Sequence, residues 1–258
     1  MNRETVLFEC RDGVALLTMN RPEKRNAFND RQYDDLTDAL SEARADDAIK
    51  TAVITGAAGA FSAGQDLGEM GSPPEHDDGK PHGFLPFVDQ LSTFDLPLLA
   101  AVNGVGVGIG LTMLLHCDLV YMAQSARLRA PFVSLGLVPE AGSSLLLQAI
   151  VGPQPAAELF YTTAWIDAER AVALGLAAAA FPDAELLERT LERASQIATQ
   201  PRAALRSTKQ LLLDVRAEAL AAARQRENPA MAQLIGSPAN VEAIRAFREK
   251  RPPDFTSL

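Results

Sequence analysis

Two glycine-rich stretches about forty residues apart hold the residues best suited to chemistry: Phe61-Ser62-Ala63-Gly64-Gln65-Asp66-Leu67 and Asn103-Gly104-Val105-Gly106-Val107-Gly108-Ile109-Gly110. Each follows an apolar run that reads as a buried strand, at 51–55 and 98–102, and each precedes a segment able to start a helix. Glycines at such strand-to-helix turns leave backbone N–H groups bare of side chains. Two turns can then aim donors at one developing negative charge. That chemistry is an oxyanion hole.

The elements that must position these turns alternate between strand and helix, which implies a layered α/β core. Strands are expected at 5–10 and 14–19, joined by the hairpin turn Arg11-Asp12-Gly13. Asn29 or Asp30 caps a helix to about Arg44, with Tyr33, Leu36, Ala39 and Leu40 on one face. Pro73, Pro74 and Pro81 mark 68–83 as a loop placed to act as a lid, and a helix from about Phe84 ends before Pro97. A helix follows at about 108–115, then a strand at 118–122. Pro139 suits the first turn of a helix running toward Ile150. A short helix at 168–174 is stopped by Gly175, and from Asp183 onward the pattern is helical, with an Ala217–Ala223 face fit for close packing.

Composition narrows the function classes. A chain of 258 residues with 47% apolar and 22% charged residues can bury a sizeable core. A net charge of −9 argues against a nucleic-acid partner. Cys10 and Cys117 are too few for a disulfide framework and lack metal-ligand spacing. No apolar run reaches membrane-spanning length and the N-terminus lacks a signal pattern, so a cytoplasmic protein without a membrane partner is expected.

Taken in order, these segments resemble the crotonase, or enoyl-CoA hydratase/isomerase, superfamily. The matching residues are Asn20-Arg21-Pro22-Glu23-Lys24-Arg25-Asn26-Ala27, the Phe61–Leu67 motif, Ala100–Gly110, Leu135–Pro139 and Ala173–Leu176. The resemblance implies a spiral of ββα units over 1–200 that carries the acyl-CoA site. It also implies a C-terminal helical region over 201–258 that assembles a homotrimer or hexamer. No cofactor is expected beyond the coenzyme A of the substrate. By position, the oxyanion donors would be the N–H groups of Gln65 and Ile109. Ser62, Ala63, Asp66, Leu67 and Gly108 would line the coenzyme path, Lys24 and Arg25 would meet phosphates, and Phe247 and Lys250 would approach from a neighbouring subunit. Where relatives have a second-turn glycine this chain has Ile109, but the donor is backbone.

The departures say more than the matches. Family hydratases use two glutamates to handle water; here those positions are Thr112 and Phe132, and neither can serve as a base near neutrality. Glu140, in Leu137-Val138-Pro139-Glu140-Ala141-Gly142, stands where the isomerase branch carries its single acid. One carboxyl suffices for a 1,3-proton shift.

Alternatives stay open. As an acid in the first turn of a helix, Glu140 is also what the macrodipole favours. A helix N-terminus lowers a carboxyl pKa whereas a dry pocket raises it, and the pattern holds both signals. An atypical hydratase and a non-catalytic acyl-CoA-binding subunit fit the same fold. A dinucleotide fingerprint does not, because its third glycine falls on Ile109 or Leu111. Asp66 is expected to fix its turn and Glu69 to be solvated. His76, His82 and His116 are expected at the surface or behind the site, and Trp165 and Tyr161 in the core or an interface.

Overall fold

A computed structural model describes residues 3–68 and 81–256 of the chain. The lid expected over 68–83, with Glu69 and His76, falls almost wholly outside the described residues. A hairpin of β1 (Val6–Arg11) and β2 (Val14–Met19) opens the fold, turning through Asp12 and Gly13 at φ +52° and +79°. Helix α1 (Asp30–Ala45) starts where expected: the Asn29 side chain accepts from the Gln32 N–H, and Tyr33, Leu36, Ala39 and Leu40 are buried.

Strand β3 (Thr51–Gly56), helix α2 (Phe84–Thr93) and strand β4 (Leu98–Val102) follow. Next come β5 (Val105–Val107), α3 (Ile109–Thr112) with a 3-10 turn at Met113–His116, β6 (Leu119–Ala123) and β7 (Arg127–Arg129). The chain continues through α4 (Ser143–Val151), α5 (Pro153–Thr162), β8 (Ile166–Asp167), α6 (Ala168–Ala173), β9 (Ala179–Phe181), α7 (Leu186–Ala198), α8 (Arg202–Leu234) and α9 (Pro238–Arg248).

The main sheet runs β1-β2-β3-β4-β6-β9, and every pairing after the hairpin is parallel. β3 and β4 lie inside it and every one of their residues is buried, as central parallel strands covered on both faces require. A second sheet, β5-β7-β8, stands apart and takes its first strand from within the second glycine stretch. Asn103 ties the C-terminal ends of β3 and β4 together: its Nδ2 donates to the Gly56 carbonyl at 2.7 Å.

Two expectations need correction, while the helix start expected after the first glycine turn lies beyond Gly68, outside the described residues. The second stretch contains strand β5 before its helix. The helix expected from Pro139 begins at Ser143, because Ala141 and Gly142 sit at φ +57° and +75°, outside helical geometry.

Candidate active site

The two glycine turns are stitched directly to each other. The Ser62 N–H donates to the Val105 carbonyl at 2.9 Å, and the Val107 N–H donates to the Ser62 carbonyl at 3.0 Å. The Ser62 hydroxyl donates to the Asn26 carbonyl at 2.8 Å and accepts from the Gly64 N–H at 3.1 Å. Ser62 is thus fully buried with its polar atoms engaged, and it shapes the turn from inside. Glycine is required at Gly64, where φ is +91° and a Cβ would stand 2.8 Å from the Val107 carbonyl oxygen.

The hydrogen-bond pattern singles out the donors. The Gly64 and Asp66 N–H groups are taken, the latter by the Phe28 carbonyl at 2.8 Å, while the Gln65 N–H between them has no acceptor among the described residues. On the other turn the Gly108 N–H goes to the Arg129 carbonyl and the Leu111 N–H returns to Gly108; the Ile109 N–H has no such acceptor among the described residues. Ile109 is the first residue of α3, where helix geometry leaves N–H groups unpaired, and its side chain is buried away from solvent.

The scaffold of the first turn comes from the Asn20–Ala27 segment. Asn26, at φ +56°, is fully buried and donates from Nδ2 to the carbonyls of Ala57 and Ala60 at 3.0 and 2.8 Å. Asp66 Oδ1 accepts from the Gly68 N–H at 3.0 Å, so it does fix its turn, while Oδ2 faces Arg21 at 3.4 Å and Lys24 at 3.6 Å. Lys24 and Arg25 are exposed on the same rim, and the Arg25 carbonyl accepts from the Ala63 N–H. The chain's own α9 reaches this rim: Arg248 Nη2 donates to the Leu67 carbonyl at 3.2 Å. Phe247 and Lys250, expected from a neighbouring subunit, therefore lie at the helix end that the same chain brings to Leu67, and both are exposed.

Glu140 lies between α1, α3 and α8. Burial pushes its carboxyl up to about 8; the nearby Glu227 carboxylate adds to the rise, and the Thr112 hydroxyl opposes it. The Thr112 Oγ1 faces Glu140 without closing a hydrogen bond of normal geometry to any described residue. Tyr33, from α1, is close enough that burial and the Glu140 charge hold its phenol well above the usual range. The Tyr33 hydroxyl donates to Gln65 Oε1 at 2.8 Å, with its ring packed on Phe28 and Phe87. Tyr33 thereby links the acid to the residue bearing a candidate donor. Phe132 is buried against Phe160 and offers no second acid.

His82 is half-buried, His116 lies behind the site as expected, and Tyr161 and Trp165 are outside the core. His82 pairs with Asp34 at 2.9 Å. His116 is wholly buried, with Nε2 2.9 Å from the carbonyl of Ala141, the residue after Glu140. Tyr161 is mostly exposed, and Trp165 lies at the surface with Arg127 and Arg129 over its ring. Burial lowers His116 to about 4. Its folded value is below the unfolded one near 6.5, so its stabilising contribution is present above pH 6.5 and lost as pH falls through 4. About 3 kcal/mol is expected to go in that window. Chemical denaturation at pH 7 and pH 4.5 should show it, and His116→Gln should flatten the dependence; an unchanged acid limb in that variant would refute the assignment.

Sequence reasoning missed two residues: Tyr33 as more than core, and Glu227. The latter left a signal. Leu213, Leu220, Ala223 and Glu227 share one buried stripe of α8, and an acid on such a stripe demands a partner. Among the described residues no group of three His, Cys, Asp or Glu is placed to hold a metal ion, and no helix is long and apolar enough to cross a membrane.

The chain is similar to known proteins along nearly its whole length. The profile of the family described as Enoyl-CoA hydratase/isomerase matches residues 9–257. A 2,3-dehydroadipyl-CoA hydratase of Escherichia coli (strain K12) is 36% identical, with 94% of each chain covered. A 1,2-epoxyphenylacetyl-CoA isomerase of the same organism is 33% identical over 98% of both chains. The crystal structure of an enoyl-CoA hydratase/isomerase from Pseudoalteromonas atlantica T6c superposes with a TM-score of 0.94 at 38% identity, covering 98% of this chain and 100% of that one.

Proposed function

The chain belongs to the enoyl-CoA hydratase/isomerase family and has its crotonase fold, and on that premise we propose that it is an enoyl-CoA isomerase that moves a double bond by a 1,3-proton shift. One observation carries this reading. Among the described residues the site offers Glu140, half-buried and with a raised pKa, while the two positions that would hold a hydratase's glutamates carry buried Thr112 and Phe132.

The substrate would be a 3-enoyl-CoA. Glu140, ionised, removes a proton from C2; the electron pair moves onto the thioester oxygen, where the Gln65 and Ile109 N–H groups receive the charge. The resulting dienolate collapses by taking the same proton at C4, so that C3=C4 becomes C2=C3 and Glu140 is again a carboxylate. A carboxyl near 8 is a stronger base than an ordinary glutamate, which suits removal of a weakly acidic α-proton. Tyr33 holds the Gln65 side chain, and with it the first donor, in place.

The test offers 3-enoyl-CoA and 2-enoyl-CoA substrates side by side to the purified protein, with Glu140→Gln as control. Conversion of the 3-enoyl substrate, lost in the variant, is expected. Hydration of the 2-enoyl substrate that survives the variant would overturn the proposal in favour of a hydratase. Turnover of neither, with acyl-CoA still bound, would identify a binding subunit.

A further inference from the structure

The turn that carries Glu140 is held by a residue 85 positions from Gly142 in sequence. Glu227, on α8, is 6% exposed and uses both carboxylate oxygens: Oε2 accepts from the Gly142 N–H at 2.6 Å and Oε1 from the Ser144 N–H at 2.9 Å. These are N–H groups at the start of α4, the ones that a helix leaves unpaired and that attract an anion. Glu140, just before that helix, is the acid that the local sequence would have placed there. Its carbonyl accepts from the Ser143 N–H, but its carboxyl does not cap the helix.

We propose that Glu227 is a positioning residue for Glu140: by occupying the α4 N-terminus and bracing the left-handed Ala141-Gly142 pair, it keeps the Glu140 carboxyl turned into the site and free of the helix that would otherwise hold it as an inert anion. The proposal rests on Glu140 being the acid of the reaction above. Two consecutive residues at positive φ form a turn that does not hold itself together. α8 also closes on Gly142 sterically, where a Cβ would stand 2.1 Å from Leu220 Cδ1. Through this contact the C-terminal helix reaches the chemistry.

The charged and titratable groups around the turn are few. Glu227 and Arg224 come from α8, and Arg224 is paired with Asp89 of α2 at 2.6 Å. Tyr33 faces Glu140 from α1, Thr112 from α3, and His116 lies behind Ala141. Of these, the Glu227 charge favours the protonated form of Glu140, in line with the direction of its shift.

The experiment is a titration of the Glu140 carboxyl by carbon-13 NMR, assigned with Glu140→Gln, in the parent chain and in Glu227→Gln, beside the pH profile of kcat/KM for a 3-enoyl-CoA. Glu227→Gln removes the charge and leaves only one oxygen for two N–H groups. The Glu140 titration is expected to move down by about one pH unit or more. The pH profile should follow it, with kcat lowered and KM little changed. A folded Glu227→Gln with an unmoved Glu140 titration would overturn the proposal. Should that variant not fold, Glu227→Asp serves: it keeps the charge but shortens the reach. It should then lower kcat while leaving the titration near that of the parent, and parent-like kcat would count against the positioning role. The NMR titration is read without turnover, so it tests the hold of Glu227 on Glu140 even if the isomerase reading fails.

Discussion

Glu140→Gln is expected to lower kcat for 3-enoyl-CoA isomerisation by roughly 10²–10⁴-fold, the range for loss of a positioned general acid–base group. KM should change little, since the amide is nearly isosteric and the rim around Asp66 and Leu67, proposed to meet the coenzyme, is untouched. The parent's kcat/KM should rise with pH through an inflection near 8, as Glu140 ionises, and the residual rate of the variant should lack that inflection. Stability should move the other way. The folded carboxyl titrates near 8 and the unfolded one near 4.5, so its stabilising contribution is present below pH 4.5 and lost as pH rises through 8. The variant, which has no such proton to lose, should therefore resist denaturation at pH 8 at least as well as the parent. A variant that unfolds more readily at pH 8, or that keeps parent-like kcat, would be inconsistent with Glu140 as a catalytic acid with a raised pKa.

The second large effect is expected from Gly64→Ala. Gly64 is at φ +91°, and an alanine Cβ would press to 2.8 Å of the Val107 carbonyl oxygen. Relief of that contact must move the Gln65 N–H relative to the Val107–Ile109 segment, since the two turns are joined at Ser62. Displacing one oxyanion donor should cost roughly 10²–10³ in kcat. The inflection near pH 8 should persist because Glu140 is unaltered, which separates this variant from Glu140→Gln. Some stability is lost as well, on the order of 1–3 kcal/mol for strain at such a backbone position. Steady-state kinetics across pH, with a melting curve at each point, checks both parts; a stable Gly64→Ala with undiminished kcat would show that the Gln65 N–H does not carry the charge.

What the sequence reveals and what it hides follow one physical line. The hairpin through Asp12-Gly13, the Asn29 cap of α1, the apolar runs of β3 and β4 and the glycine turns are local signals, and each is legible. The start of α4 is misleading, because Pro139 followed by an acid is a sound local helix start, yet the acid that caps this helix is Glu227, brought from α8. Strands β5, β7 and β8 span only two or three residues each and exist through pairing with one another, so no periodicity announces them. Helix α5 opens at Pro153 with only Gly152 between it and α4, and no capping side chain marks its start. At the site, the candidate donors Gln65 and Ile109 and the candidate acid Glu140 are legible from motif order. The raised pKa is not, because it depends on burial and on the Glu227 carboxylate brought from α8.

The proposed mechanism turns on one carboxyl, Glu140, removing the proton from C2 and returning it at C4. To follow that proton, the enzyme is given a 3-enoyl-CoA deuterated at C2 and the label is located in the 2-enoyl product by NMR at short times. Deuterium is expected at C4 in part of the product, with a slowed rate against the unlabelled substrate, and neither product nor label transfer with Glu140→Gln. Product formed by Glu140→Gln at the parent rate, with the label in solvent and none at C4, would contradict the mechanism.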